Sequence, residues 1–542
     1  MRRSLLLVLT LLAQPALARP TVDASPPTAL AVSVYRDPEA GADDALDLQW
    51  LGGYALVSET RTVTLPAGEA TVRFPGVVGG MVAVSALVTG LPGGTIEKNR
   101  NAALLSPAAL VDGTLGNRVT VTRTNPATGA KVSEDAIVRT RADGALVLQT
   151  KEGFEAVGCA GVPQTLGFDR VPDGLLPVPV YSIDTISPRG GTYAVRLTYL
   201  ASGFDWRAHY VASFAPGSGA ARKLRLTAWL TMANENAEGL PAAELVAVAG
   251  KLEVTSDYRD LGEPPQGRPL SLTCYPLAIG GPLVEPPPPL PPPPPMAVAA
   301  PMMAMSEDII VTAQRREEKV QDAPIAVTAG QENLGDLKLY RVPVPVDVAA
   351  KGLKQVAFLD REGVKGEIVH RFACSGYGVE EMDPADKWDR ENTEFSALPF
   401  LFKAKNDAAH GLGQPLPMGK ASLFEPAQGQ SLLLGEATLR DYAVGEDVEL
   451  ELGSSAAVFG RCTWNPGDGE TVEDGKWHEL RAELSNANAA AISVELLLGS
   501  AGSWRLRGAP GKVRFVKGQQ AVTVTVPPGE RRTFTWQVRG AD

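Results

Sequence analysis

An all-β fold is predicted, built as several antiparallel β-sandwich-like domains with a proline-rich insertion. Three observations carry it. Apolar and polar residues alternate with a period of two along most of the chain, as a half-buried sheet requires. Val, Thr and aromatic residues fill those runs. Gly and Pro interrupt them at short spacing, as in Asn125-Pro126 and Asp143-Gly144. Many short strands separated by turns make sandwiches or barrels.

Residues 1–18 come first. Met1, Arg2 and Arg3 precede the apolar run Leu5 to Leu12, and Ala16-Leu17-Ala18 closes it. A short positive region, an apolar core and an Ala-x-Ala end predict a cleavable secretory signal. The run is shorter than the roughly 20 residues of a membrane-spanning helix. No later stretch has the length and apolarity of a transmembrane span. The expected location is therefore the periplasm or the outer membrane's periphery.

A first β domain is expected over 19–175. There Val63 and Leu65 lead into Pro66-Ala67-Gly68-Glu69, and Ala70, Val72 and Phe74 return on the same phase. That pattern predicts a hairpin with one buried face. Val119/Val121 and Leu146/Leu148 follow. A second β domain, 176–280, carries Tyr193/Val195/Leu197/Tyr199 and Leu224/Leu226/Ala228/Leu230. A third is expected over 336–453, and a C-terminal β-sandwich over 454–542. The sandwich holds Leu480/Ala482/Leu484 and Ile492/Val494/Leu496/Leu498. It repeats the earlier device: Val522, Val524 and Val526 enter Pro527-Pro528-Gly529-Glu530, and Phe534, Trp536 and Val538 return. Modest helical periodicity occurs only over 240–249 and 331–338.

Residues 281–335 break the pattern. Nine of the ten residues 286–295 are Pro. Such a run adopts polyproline II and acts as a semi-rigid spacer, about 30 Å long at roughly 3.1 Å per residue. A Met/Ala-rich stretch, 296–305, follows. The segment is expected to project as an insertion between two β halves.

Two of the 51 basic residues lie in the leader, so the mature chain carries 49 against 62 acidic, a net charge of −13. An acidic chain without a basic stripe is a poor match for nucleic acid. The four cysteines, Cys159, Cys274, Cys374 and Cys462, suit two disulfides in an oxidising compartment, and three pairings are possible. Pairing within each half of the chain is the expectation. No CxxC spacing is present to suggest redox catalysis or structural zinc.

The stretch from Thr192 to Ala212, TYAVRLTYLASGFDWRAHYVA, resembles the hallmark of a bacterial family, domain of unknown function 4139, which includes mucoidy-inhibitor-like proteins. Trp229 to Gly250, with Asn234 and Asn236, resembles the strand and loop that follow it there. Leu416-Pro417-Met418-Gly419-Lys420 with Ser422, Phe424 and Glu425 resembles a later motif. So do Gly435-Glu436 and Val444-Gly445-Glu446-Asp447. The strands around Tyr54 to Val77 resemble the region before the hallmark. The likeness runs from about residue 45 to the end but lacks the coiled coil of many relatives. It implies a β-rich fold and supplies no catalytic residues.

Residues 308–329, DIIVTAQRREEKVQDAPIAVTA, are similar to the start of TonB-dependent outer-membrane receptors. Asp308, Ile309, Ile310, Val311, Thr312 and Ala313 match the TonB box. Gln321, Asp322, Pro324, Ile325, Val327 and Thr328 match the entry to the plug. An extended peptide rich in β-branched residues suits addition to a partner's sheet edge. The chain has too few remaining strands to be a receptor barrel itself.

Catalytic signatures are scarce. His209, His370, His410 and His478 lie far apart, without HExxH spacing. Ser375 lacks a nucleophile-elbow frame, and no phosphate-binding glycine pattern occurs. His209, beside Trp206 and Tyr210, reads as structural. Two acidic clusters, Glu380/Glu381/Asp383/Asp386/Asp389 and Asp468/Glu470/Glu473/Asp474, carry oxygen ligands suited to calcium but not the spacing of a calcium loop. Solvated turns are the commoner reading. Trp206, Tyr210, Trp388, Trp464, Trp477 and Trp504 are assigned mainly to core packing. No cofactor, metal or catalytic residue is expected. The leading expectation is a non-catalytic envelope binding or scaffold protein that engages the TonB C-terminal domain through Asp308–Ala313. The alternatives are a structural β protein associated with surface polysaccharide or an outer-membrane protein, its loop an idle relic, and a hydrolase assembled from distant loops.

Overall fold

The computed structural model describes residues 19–101, 104–142, 146–157, 164–172, 175–217, 219–250, 261–262, 267–270, 328–375, 395–427, 430–465 and 476–540. These are almost entirely strand, as the period-two alternation predicts. The leader, residues 1–18, lies outside them.

The chain forms two compact units. One comprises Ala103–Pro177 and Gly267–Pro324, and the other holds the remainder. In the smaller unit, five antiparallel strands stand in the order Gly153–Val157, Leu146–Thr150, Lys131–Val138, Arg118–Thr124, Gln164–Gly167. The central hairpin turns at Asn125, whose side-chain oxygen accepts from the backbone N–H groups of Ala127 and Thr128. The short helix Pro107–Gly113 places Ala108 and Val111 against Val119, Val121, Ala136 and Val138. Alternation along the sequence does not announce this helix, but its cap does. The Ser106 side chain accepts from the Ala109 N–H at 3.3 Å, and Pro107 occupies the first turn.

In the larger unit, a four-stranded sheet runs Thr21–Asp23, Gly68–Pro75, Val180–Ser187, Glu97–Asn101. Twenty further strands join into one hydrogen-bonded network that branches at its longest members. Pairing is mostly antiparallel. Four pairs are parallel among the described residues, including Gly191–Phe214 with Gly419–Ala427 and Gly352–Ala373 with Ile492–Ser500.

The strand Gly191–Phe214 is the hub. Its first half pairs with Gly53–Leu65 and, over three residues, with Leu87–Thr89. Its second half pairs with Ala221–Asn234 on one side and Gly419–Ala427 on the other. Gly53–Leu65 and Gly191–Phe214 thus share one sheet although residue 175, an expected domain boundary, falls between them.

Two expected hairpins are corners instead. Gly53–Leu65 pairs with Ala29–Tyr35 and Gly191–Phe214, whereas Gly68–Pro75 pairs with Thr21–Asp23 and Val180–Ser187. At the C-terminus, Gln519–Val526 pairs with Ile492–Ser500, and Arg531–Gly540 pairs with His478–Asn486. In both places the chain passes from one sheet to a facing sheet. Same-phase apolar residues serve either geometry: Val63, Leu65, Ala70, Val72 and Phe74 are all buried in one core. Gly68 makes the first corner with a φ of +96°, which other residues rarely adopt. The weak helical signals also yield to sheet. Leu240–Ala249 is a strand, and Gly330–Leu334 with Leu337–Arg341 is a hairpin.

The C-terminal part is a two-layer sandwich. Leu480, Ala482, Leu484, Trp536 and Val538 face Val494, Leu496, Val522, Val524 and Val526. A buried charge network fastens it to the strands before it. Arg371 on Gly352–Ala373 donates to both Glu449 oxygens at 2.7 and 3.1 Å, and to Glu495 at 2.6 Å. Arg514 holds the other Glu495 oxygen at 2.6 Å, and Lys517 lies 2.7 Å from Glu449. Glu495 is fully buried. Such a cluster persists only while every partner is present.

Burial alone would raise the Glu449 pKa, but donation from Arg371 and Lys517 outweighs it and brings the carboxyl down from 4.5 to about 2. Its stabilisation is therefore complete above about pH 4.5 and is lost as pH falls towards 2. Allowing for partial screening, the loss by pH 3 is on the order of 2 kcal/mol. Urea unfolding should show the wild type losing about that much more stability between pH 7 and pH 3 than Glu449→Gln.

Candidate functional site

Asp308–Ala313 lies outside the described residues. Its attachment does not. The chain leaves the sheet at the end of Leu240–Ala249 and rejoins it at Gly330–Leu334, which pairs with Leu337–Arg341. Leu337–Arg341 in turn pairs directly with Leu240–Ala249, Ala249 opposite Lys338. Departure and return are thus in one sheet, with Leu337–Arg341 between the two strands.

The hallmark-like strand Gly191–Phe214 places its polar residues at joints. The Tyr199 hydroxyl donates to Glu59 at 2.7 Å and accepts from the Val78 N–H. The Arg61 guanidinium holds the same Glu59, and it also donates to the carbonyls of Ser25 and Pro75, spanning the corner. Asp205 accepts from the backbone of Asp37 and Trp206 and pairs with Arg207 at 2.8 Å. Burial lifts its pKa above the usual carboxylate range, against the pull of Arg207. The Trp206 indole donates to the Val248 carbonyl, and Arg36 lies over its ring while pairing with Asp441. The Tyr210 hydroxyl donates to the Pro417 carbonyl.

The asparagines of the following motif act likewise. Asn234 donates to the carbonyls of Glu238 and Ala349, and Asn236 to those of Ser202 and Gly203. His209 Nδ1 lies 3.0 Å from the Thr231 hydroxyl, to which Gln355 donates. Desolvation, helped by Lys420 and Arg207, lowers the His209 pKa. All of these side chains hold strands and loops in register.

Gly419 shows why the later motif needs a glycine. The parallel pairing brings Ala208 so close that a Cβ on Gly419 would lie 2.0 Å from its carbonyl oxygen. At Gly435, in the partner strand, the nearest atom to such a Cβ is 3.5 Å away. Gly419→Ala should therefore lower stability by about 2 kcal/mol or more, and Gly435→Ala by much less, in matched chemical denaturation curves.

The remaining histidines stay apart in role. His410 contacts Asp407 at 2.6 Å in a surface turn, and His478 is buried in the sandwich. Among the described residues no three His, Cys, Asp or Glu side chains converge as metal ligands. Both acidic clusters and Trp388 lie outside the described residues, as does the Trp464 side chain. Trp206 and Trp504 are buried in cores, and Arg539 stacks over Trp477.

His370 occupies the setting that sequence spacing did not reveal. It lines an apolar groove of about 700 Å³ together with Phe214, Arg222, Phe400, Leu434 and Ala456. Those six residues come from six separate strands or strand ends, so no local motif could mark the place. His370 is only 6% exposed and stacks on Phe400 at 5.8 Å. Its Nδ1 has no hydrogen-bond partner among the described residues. Burial lowers its pKa, opposed by the nearby Ser493 backbone.

Cys374 and Cys462 form a disulfide, joining strands whose Cα atoms lie 5.4 Å apart there. Cys159 and Cys274 lie outside the described residues. The chain matches no protein-family model, and no curated protein matches it. Non-reducing peptide mapping should recover a Cys374–Cys462 peptide and a Cys159–Cys274 peptide. Free thiols at 159 and 274 would defeat the second assignment.

Proposed function

We propose that this is a non-catalytic binding or scaffold protein of the Gram-negative envelope that engages the C-terminal domain of TonB through Asp308–Ala313. The observation that carries the reading is the receptor-like segment 308–329 behind a polyproline spacer, in the stretch that connects Leu240–Ala249 to the hairpin 330–341, whose second strand pairs with Leu240–Ala249. Such an insertion offers a peptide for strand addition without demanding anything of the sheet that bears it. The engaged state of Asp205, Arg207, Glu59 and the two asparagines supports a binding role over a catalytic one, because these polar groups already serve the fold. The likeness to domain of unknown function 4139 belongs to the same proposal.

Titration of the leaderless protein with the periplasmic C-terminal domain of TonB is expected to show saturable binding. Deleting 308–313 should abolish it while leaving the melting temperature unchanged. Binding that survives the deletion, or none with the intact chain, would remove this reading.

A further inference from the structure

We propose that the groove containing His370 is a binding site for a neutral amphiphile, an apolar chain or ring system bearing one hydroxyl or N–H donor. The inference does not depend on the TonB reading, because every residue that lines the groove lies outside the insertion.

Three observations lead there. The groove's volume, about 700 Å³, falls in the range typical of small-molecule sites. Its walls are apolar: Phe214, Ile368, Phe400, Leu434 and Leu452 face it. The strand Gln430–Leu439, which brings Leu434 to the groove, exposes three leucines in succession, Leu432, Leu433 and Leu434, at 52%, 59% and 37%. An alternating strand with one buried face would hide at least one of them. Exposed apolar runs of this kind mark contact surfaces.

The polar groups select the head. Burial favours the neutral ring of His370, and its Nδ1, unpartnered among the described residues, is an acceptor in the Nε2–H tautomer. A buried acceptor without a partner is costly, so a ligand that donates to it is favoured. Arg222 is the cation in the groove, and its charge is already matched by Glu425 at 2.6 Å. Its guanidinium also lies over the Phe214 ring at 5.1 Å. A charged ligand head would therefore be desolvated without a free counter-charge, which disfavours carboxylates. The Arg222 Nε–H, also unpartnered among the described residues, can donate to the oxygen of a hydroxyl head.

The test uses N-phenyl-1-naphthylamine, a neutral apolar fluorophore with a single N–H donor, on the full leaderless chain. One saturable site is expected, with 1-decanol displacing the probe far more effectively than decanoate. Ala456 and Ala490 line the groove and are exposed, so bulk there does not disturb a core. Ala456→Trp and Ala490→Trp should each weaken probe binding tenfold or more with unchanged melting temperature. His370→Phe keeps a ring on Phe400 and should weaken decanol about fivefold while leaving decane unaffected. Probe binding that tolerates both tryptophans would overturn the site. Equal displacement by decanol and decanoate, or decanol affinity untouched by His370→Phe, would overturn the assigned head group.

Discussion

The larger unit depends on satisfying the backbone of one strand. Gly191–Phe214 runs 24 residues, and its amides and carbonyls need partners along both edges. Four strands supply them, the sequence neighbour Ala221–Asn234 and the more distant Gly53–Leu65, Leu87–Thr89 and Gly419–Ala427. Its core-facing residues, Val195, Leu197, Tyr199, Trp206, Ala208, Tyr210 and Ala212, are all essentially buried. Fixing that strand fixes the register of those paired with it, because a one-residue slip would exchange the two faces. The hydrogen bonds from Tyr199, Trp206 and Tyr210 then tie two strands and the turn at Pro417 to the same register.

The fold class was legible because side-chain alternation is local and every strand records its own two faces. Partnering was not. Val63 to Phe74 and Val522 to Val538 read identically whether the two arms pair with each other or face each other across a core, and the structure chose the second. Leu240–Ala249 resisted a strand assignment because it is buried on both faces near its end, Val246 to Ala249 being all interior, and this erases the alternation. The Ser106-Pro107 cap was readable in principle and was passed over among strands. The bond between Cys374 and Cys462 was legible as pairing within one half of the chain. The groove was not: residues from 214 to 492 build it, and a lone histidine in an alternating strand looks like any other interior position.

The polar and glycine positions around Gly191–Phe214 are chiefly load carriers at strand junctions. Asp205 anchors the turn at Asp37, Asn236 closes the loop at Gly80, and Gly419 permits the parallel strand to approach. Buried polar groups of this type specify one arrangement because each alternative leaves a donor or acceptor unpaired.

The wide separation of paired strands also governs the order in which the molecule can come into being. Ala29–Tyr35 needs Leu240–Ala249, and the hub strand needs Gly419–Ala427, so early segments wait for partners made hundreds of residues later. Arg118–Thr124 through Gln164–Gly167, by contrast, pair almost entirely with their neighbours. As the chain emerges from its amino end, the smaller unit's sheet can assemble first, while the larger one stays open with unpaired edges until most of the polypeptide has been delivered. Those exposed edges are the point at which a chaperone would have most to protect.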